Sequence, residues 1–117
     1  MSFAKRFEEL EIWQEARRLN RQVYHSLRSC KDYSFRDQMQ RAALSVMNNI
    51  AEGFERKTKK DFAHFLDLAK ASAGEVRSMA FAAEDITILD TPEATNLRTD
   101  YESLGRRIAS FQKHLRA

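Results

Sequence analysis

The chain has 117 residues, 43% hydrophobic and 32% charged. That is enough for one domain with a self-supporting core, and it excludes an intrinsically disordered chain. The formal net charge of +3 is a mild excess that, by itself, scarcely argues for a nucleic-acid partner. A single cysteine, Cys30, excludes an internal disulfide and fits a reducing compartment. The charged N-terminus is no secretory signal, and no stretch is apolar and long enough to span a bilayer. The expectation is a cytoplasmic protein with no membrane partner, forming a single domain over residues 1–117.

Only three glycines and one proline interrupt the chain, which favours long helices over a many-turned sheet. A first helix is expected from about Glu9 to about Ser29. There Trp13, Ala16, Val23 and Leu27 recur at helical spacing, with Leu19, Asn20 and Tyr24 filling the stripe. After a loop over Cys30–Tyr33, Ser34 and Asp37 have the spacing of a capping box that opens a second helix. Met39, Ala42, Val46 and Asn49 mark its seam, flanked by Ala43 and Ile50. Gly53 stands where a left-handed residue would end it. Beyond the Glu55–Lys57 loop, Thr58 and Asp61 form a second box. The helix they open should reach about Leu89, with Phe62, Phe65, Leu66, Ala69, Ala73, Val76, Ala80 and Ala83 inward. Thr91 as cap and Pro92 in the first turn begin the fourth helix. Its positions Leu97, Tyr101, Leu104, Ile108, Phe111 and Leu115 make the cleanest heptad in the chain. Three short connections between long amphipathic helices require antiparallel neighbours. The fold class expected is all-α, an antiparallel up-and-down four-helix bundle.

No enzyme chemistry assembles from these residues, so no catalytic residue, no cofactor and no metal ligand is assigned. His25, His64 and His114 fall on three helices. Asp61-x-x-His64 is the nearest approach to a bundle metal motif, and it has no second copy. Cys30 has no base that spacing can identify, and no glycine-rich phosphate loop occurs. The run Asn48–Gly53 is unusual. A polar Asn49 on a core seam must find partners or destabilise the bundle by roughly 1–3 kcal/mol. Asp37, Arg41, Asn49 and Glu52 therefore read as a structural polar cluster that fixes helix register, in preference to a ligand site. Gly74, off the inner seam with Ala71, leaves room for another helix, and its position favours one from another subunit.

The cations are clustered. Arg17, Arg18, Arg21 and Arg28 share the outer side of the first helix. Arg56, Lys57, Lys59 and Lys60 crowd the second turn. Arg98, Arg106, Arg107, Lys113 and Arg116 run along the fourth helix, while acids gather near the third turn. Cations at a helix start oppose its dipole, an arrangement that an anionic ligand would explain. No aromatic stripe is interleaved with them, so phosphate contact is favoured over base stacking. Two functions are favoured over a third, a metal enzyme. One is an oligomer binding RNA or DNA through these patches, Arg116 aside. The other is a protein–protein adaptor or scaffold with an acidic or helical partner.

Several motifs carry a family resemblance. They are Phe7–Gln14, Asp37–Ala43, Ser45–Phe54, Phe65–Ala69 and Ala71–Glu75, the run Asn49-Ile50-Ala51-Glu52-Gly53-Phe54 being the most specific. The chain resembles, over nearly its whole length, the bacterial 23S rRNA-intervening-sequence proteins, departing from the pattern at Gly74. The resemblance implies a four-helix bundle assembled as a homopentamer. It also implies likeness to the accessory variability determinant of diversity-generating retroelements, a basic pentamer that binds nucleic acid and a reverse transcriptase. The family's molecular role is largely undefined, and it supplies no catalytic residue.

Overall fold

The computed structural model describes residues 4–116. A 3-10 turn at Phe7–Glu9 leads into α1 (Glu11–Ser26), α2 (Tyr33–Phe54), α3 (Lys59–Asp85) and α4 (Thr91–Arg116). Each helix packs on its sequence neighbours and α4 closes on α1, so the four form a square, up-and-down bundle measuring 46 × 20 × 19 Å. No strand occurs among the described residues.

One continuous core fills the axis. Ile12, Ala16, Leu19 and Val23 enter it from α1, and Met39, Ala42, Ala43, Val46 and Ile50 from α2. From α3 come Phe62, Leu66, Ala69, Ala73, Val76, Ala80 and Ala83, and from α4 Leu97, Tyr101, Leu104, Ile108 and Leu115. The many alanines of α3 let it lie close to both α2 and α4. The spacing of the seams is as the sequence implied, with local exceptions. Trp13 is half-buried against Phe7, their ring centroids 5.2 Å apart, and Tyr24 lies exposed. Phe65 is half-buried.

The helix ends differ from expectation in ways that local hydrogen bonding explains. Leu10 is extended and buried, which separates the 3-10 turn from α1 and delays the helix to Glu11. At the other end of α1, Arg28 donates to the His25 carbonyl at 2.7 Å and helps close the helix at Ser26, short of Ser29. Asp32, not Ser34, caps α2: its Oδ1 accepts from the Phe35 N–H at 3.1 Å, so Ser34 and Asp37 lie inside the helix. Gly53 also lies inside α2 with ordinary negative φ. Its role is close approach, since Phe62 and Phe65 of α3 occupy the space a side chain would need.

Thr58 caps α3 as expected, accepting from the Asp61 N–H at 3.0 Å. That helix ends at Asp85 and not near Leu89. Thr87 takes the left-handed conformation (φ 59°), and the N–H groups of Ile88 and Leu89 turn back onto the Ala83 carbonyl at 2.8 and 3.2 Å. The cap of α4 is Asp90, whose Oδ1 accepts from the Glu93 N–H at 2.9 Å; Thr91 is already helical.

Candidate nucleic-acid interface

The antiparallel order decides which charges share an end of the bundle, and the acidic start of the chain (Glu8, Glu9, Glu11) lies beside the end of α4. The α2–α3 turn and the C-terminal turns of α4 share one end, where Phe62 packs on Phe111 with ring centroids 5.6 Å apart. The α3–α4 turn, with Glu84, Asp85, Asp90 and Glu93, lies at the other end beside the α1–α2 turn.

At the basic end, Arg56 lies over the Phe65 ring at 4.6 Å and reaches Glu52 at 3.7 Å. Lys57, Lys59 and Lys60 are exposed and make no ion pair among the described residues. Lys113, in the last turns of α4, is likewise exposed and unpaired. Asp61 in the first turn of α3, Glu55 at the end of α2 and Glu52 supply negative charge beside these cations. Partly neutralised positive charge therefore sits at the positive end of a helix dipole, an electrostatic arrangement suited to an anion.

Elsewhere the predicted cations divide. Arg17 and Arg21 are exposed without an ion pair among the described residues, Arg17 resting over Trp13 at 5.7 Å. Arg28 is engaged with a backbone carbonyl. Arg18 binds both oxygens of Glu15 at 2.8–2.9 Å and approaches Asp100 at 3.7 Å. That pairing pulls the Glu15 carboxyl below the usual glutamate range and pushes the Arg18 guanidinium up. Arg98 pairs with Glu84 at 2.8 Å, Arg107 with Glu11 at 3.4 Å and Arg106 with Glu102 at 3.7 Å. The outer faces of α1 and α4 are thus less available as phosphate-binding patches than a count of arginines implies.

The four residues expected to form one polar cluster do not converge. Asp37 pairs with Arg36 at 3.1 Å, and Glu52 meets Arg56. Arg41 is exposed, sharing with Asp37 only a shallow depression on α2. Asn49 is half-buried beside the seam, not on it, and donates to the Ser45 carbonyl and hydroxyl at 2.8 and 2.9 Å. The Ser45 hydroxyl in turn lies 2.9 Å from that of Ser72, so the register-fixing polar contact between α2 and α3 runs Asn49–Ser45–Ser72.

A second such contact is absent from the sequence reading. Gln112 is 2% exposed, a fully buried polar side chain among the described residues. Its Nε2 donates to the Ala63 carbonyl at 2.7 Å and to Asp67 at 2.6 Å. This hydrogen bond, with Lys70 and Arg116 nearby, holds the Asp67 carboxyl below the usual aspartate range. Gln112 follows Phe111, and the four-residue step from Ile108 could have flagged it as inward.

The histidines stand apart, His64 with its ring against Phe65. Among the described residues no group of three His, Cys, Asp or Glu side chains is placed to hold a metal ion, and no helix is long and apolar enough to cross a membrane. Cys30 is half-buried, its thiol 3.5 Å from the Asp32 carbonyl.

In overall shape the chain is similar to a crystal structure of a protein of unknown function from the S23 ribosomal protein family of Bacteroides thetaiotaomicron. The TM-score is 0.81 at 17% sequence identity, covering 87% of this chain and 98% of that one. Comparison with curated proteins gives no match. The shared bundle is accompanied by a match of residues 8–110, from the 3-10 turn to the late turns of α4, to the model for the 23S rRNA-intervening sequence protein, and the chain belongs to that family.

Proposed function

We propose that the protein is a non-enzymatic, cytoplasmic, homo-oligomeric bundle that binds nucleic acid through the basic end formed by the α2–α3 turn and the end of α4. The observation that carries this reading is the set Lys57, Lys59, Lys60 and Lys113, exposed and without carboxylate partners among the described residues. Unpaired lysines at a helix start repel one another and the dipole, and phosphate contact removes that cost.

Oligomerisation, a pentamer by family resemblance, is supported by the outer α2–α3 face. Leu68 is exposed there beside the half-buried Ser45–Ser72 pair, a mixed apolar and small-polar surface suited to a second copy. Sedimentation should give about five times the 13.7 kDa chain mass. Salt-dependent affinity for RNA and DNA tests the binding. Replacing Lys57, Lys59 and Lys60 together with Gln should flatten the log–log salt slope by about 2 to 3. Absence of binding at low salt, or binding indifferent to salt, would overturn the reading. A pull-down partner that survives nuclease treatment would favour an adaptor role instead.

A further inference from the structure

We infer that the outer groove between α3 and α4 is a track for a single nucleic-acid strand, with Phe81, backed by Arg98, as the platform on which one unpaired base stacks. The inference rests on the nucleic-acid reading above and assigns it a second, strand-selective site.

Phe81 is 55% exposed, one position off the inward seam residue Ala80. The Arg98 guanidinium lies 4.1 Å from its ring centroid. That guanidinium is itself fixed, by Glu84 at 2.8 Å and by the Thr95 hydroxyl at 3.1 Å. The exposed part of this pre-ordered pair is the Phe81 ring, with the Arg98 side chain only 19% exposed against it, and bases stack on aromatic rings. Its ordering does not have to be repeated when a base arrives.

Helical spacing extends this platform into a groove. Four, seven and eleven residues back along α3 from Phe81 stand Arg77, Gly74 and Lys70. Four, seven and eight residues on along α4 from Arg98 stand Glu102, Gly105 and Arg106. The structure brings these six together around one open groove. Its charge is one-sided: Arg77 and Arg106 share the single Glu102 carboxylate at the long distances of 3.8 and 3.7 Å, and Lys70 lies 3.4 Å from Asp67. Its floor is low, since no atom lies within 4 Å of where a Cβ would stand on either glycine. From Phe81 to Lys70 the track measures roughly 16 Å at the helical rise, the span of up to about five nucleotides. Cations along a shallow trough with an aromatic at one end match a strand whose phosphates follow the rim and whose base leaves it to stack. A duplex keeps its bases paired and cannot use the ring.

Oligonucleotides carrying 2-aminopurine, single-stranded and as duplexes, in RNA and DNA form, test this at low salt by fluorescence. The full-length protein should quench the single strands. Phe81→Leu should lower single-strand affinity roughly five- to a hundredfold while leaving duplex affinity unchanged, and Phe81→Trp should retain it. Lys70→Gln with Arg77→Gln should flatten the single-strand salt slope by about 1.4. Single-strand affinity unchanged in Phe81→Leu overturns the inference and leaves the nucleic-acid reading standing. An equal loss for duplexes overturns it too. So does a changed sedimentation coefficient in Phe81→Leu, which would assign the ring to a subunit contact. If the wild-type protein binds neither form, the nucleic-acid reading fails and this inference fails with it.

Discussion

Replacing Gly53 with alanine separates two explanations of that glycine. An added Cβ would lie 2.7 Å from the Phe65 Cβ, 2.9 Å from the Phe62 Cδ1 and 3.3 Å from the Phe62 carbonyl oxygen. Two of these three atoms are fixed to the α3 backbone, so relief requires the first turns of α3 to move away from α2. Overpacking of this kind costs about 1–3 kcal/mol, and the contact with a Cβ places it in the upper half of that range. Alanine regains about 1 kcal/mol of helix propensity. The expected net loss is about 1–2 kcal/mol, read as a lower urea midpoint at unchanged slope by far-UV circular dichroism. Gly74→Ala and Gly105→Ala are the controls. Both sites are open, and each substitution should stabilise by about 0.5–1 kcal/mol. Asparagine at 53 makes the test decisive. At a left-handed helix end it would be milder than alanine; inside α2 against two phenylalanines it should be worse. Gly53→Ala as stable as the wild type, or Asn milder than Ala, would refute the close-approach reasoning.

Asp32→Ala should cost about 1 kcal/mol in urea denaturation and Ser34→Ala less than about 0.5, because only the former removes a cap; the reverse order would restore the capping box. Gln112→Leu should destabilise by about 1–3 kcal/mol and let the Asp67 carboxyl rise toward its ordinary range in an NMR titration; an unmoved Asp67 would contradict the bond. Tyr101→Phe should be neutral or stabilising in urea, since the buried hydroxyl has no hydrogen-bond partner among the described residues, and a loss above about 1 kcal/mol would contradict that. Glu15, Asp67 and Glu84 are held low chiefly by Arg18, Gln112 and Arg98. Depressed folded values give stability that is fully present above the unfolded carboxylate range and lost as pH falls through the folded ones. The urea midpoint should therefore fall below about pH 4.5; a midpoint rising on acidification would reverse the sign.

The bundle was legible because its seams repeat. Ala16, Leu19, Val23 and Leu104, Ile108, Leu115 hold their spacing over several turns, and short turns leave one topology. The helix ends were less legible because several residues can serve as caps. Asp32 and Ser34 both stand at the start of α2, and Asp90 and Thr91 at the start of α4; which side chain folds back depends on the route of the preceding turn. Gly53 shows a related ambiguity. A glycine near a helix end reads equally as a left-handed terminus or as clearance for a neighbour, and only the position of Phe62 and Phe65 decides.

The candidate site was legible in proportion to how local its electrostatics are. Whether an arginine is free depends on carboxylates that the sequence places far away. Arg107 and Glu11 are 96 residues apart and Arg98 and Glu84 are 14 apart, yet each pair meets. Such pairs quench charge across neighbouring helices and contribute little stability of their own when exposed. The lysines of the α2–α3 turn escape this fate for a geometric reason. A turn at the end of a bundle has no helix beyond it to supply the opposing carboxylate, whereas α1 and α4 flank each other along their length. Free cations in an up-and-down bundle should therefore collect at its turns, with Arg17 and Arg21 on the outer side of α1 as exceptions, whereas side cations such as Arg77 and Arg106 meet a carboxylate, here that of Glu102. The same rule hid Phe81. Lying one position off the seam, it shows neither the periodicity of a core residue nor a sequence neighbour among the cations, and only the crossing of α3 and α4 brings Arg98 onto its face.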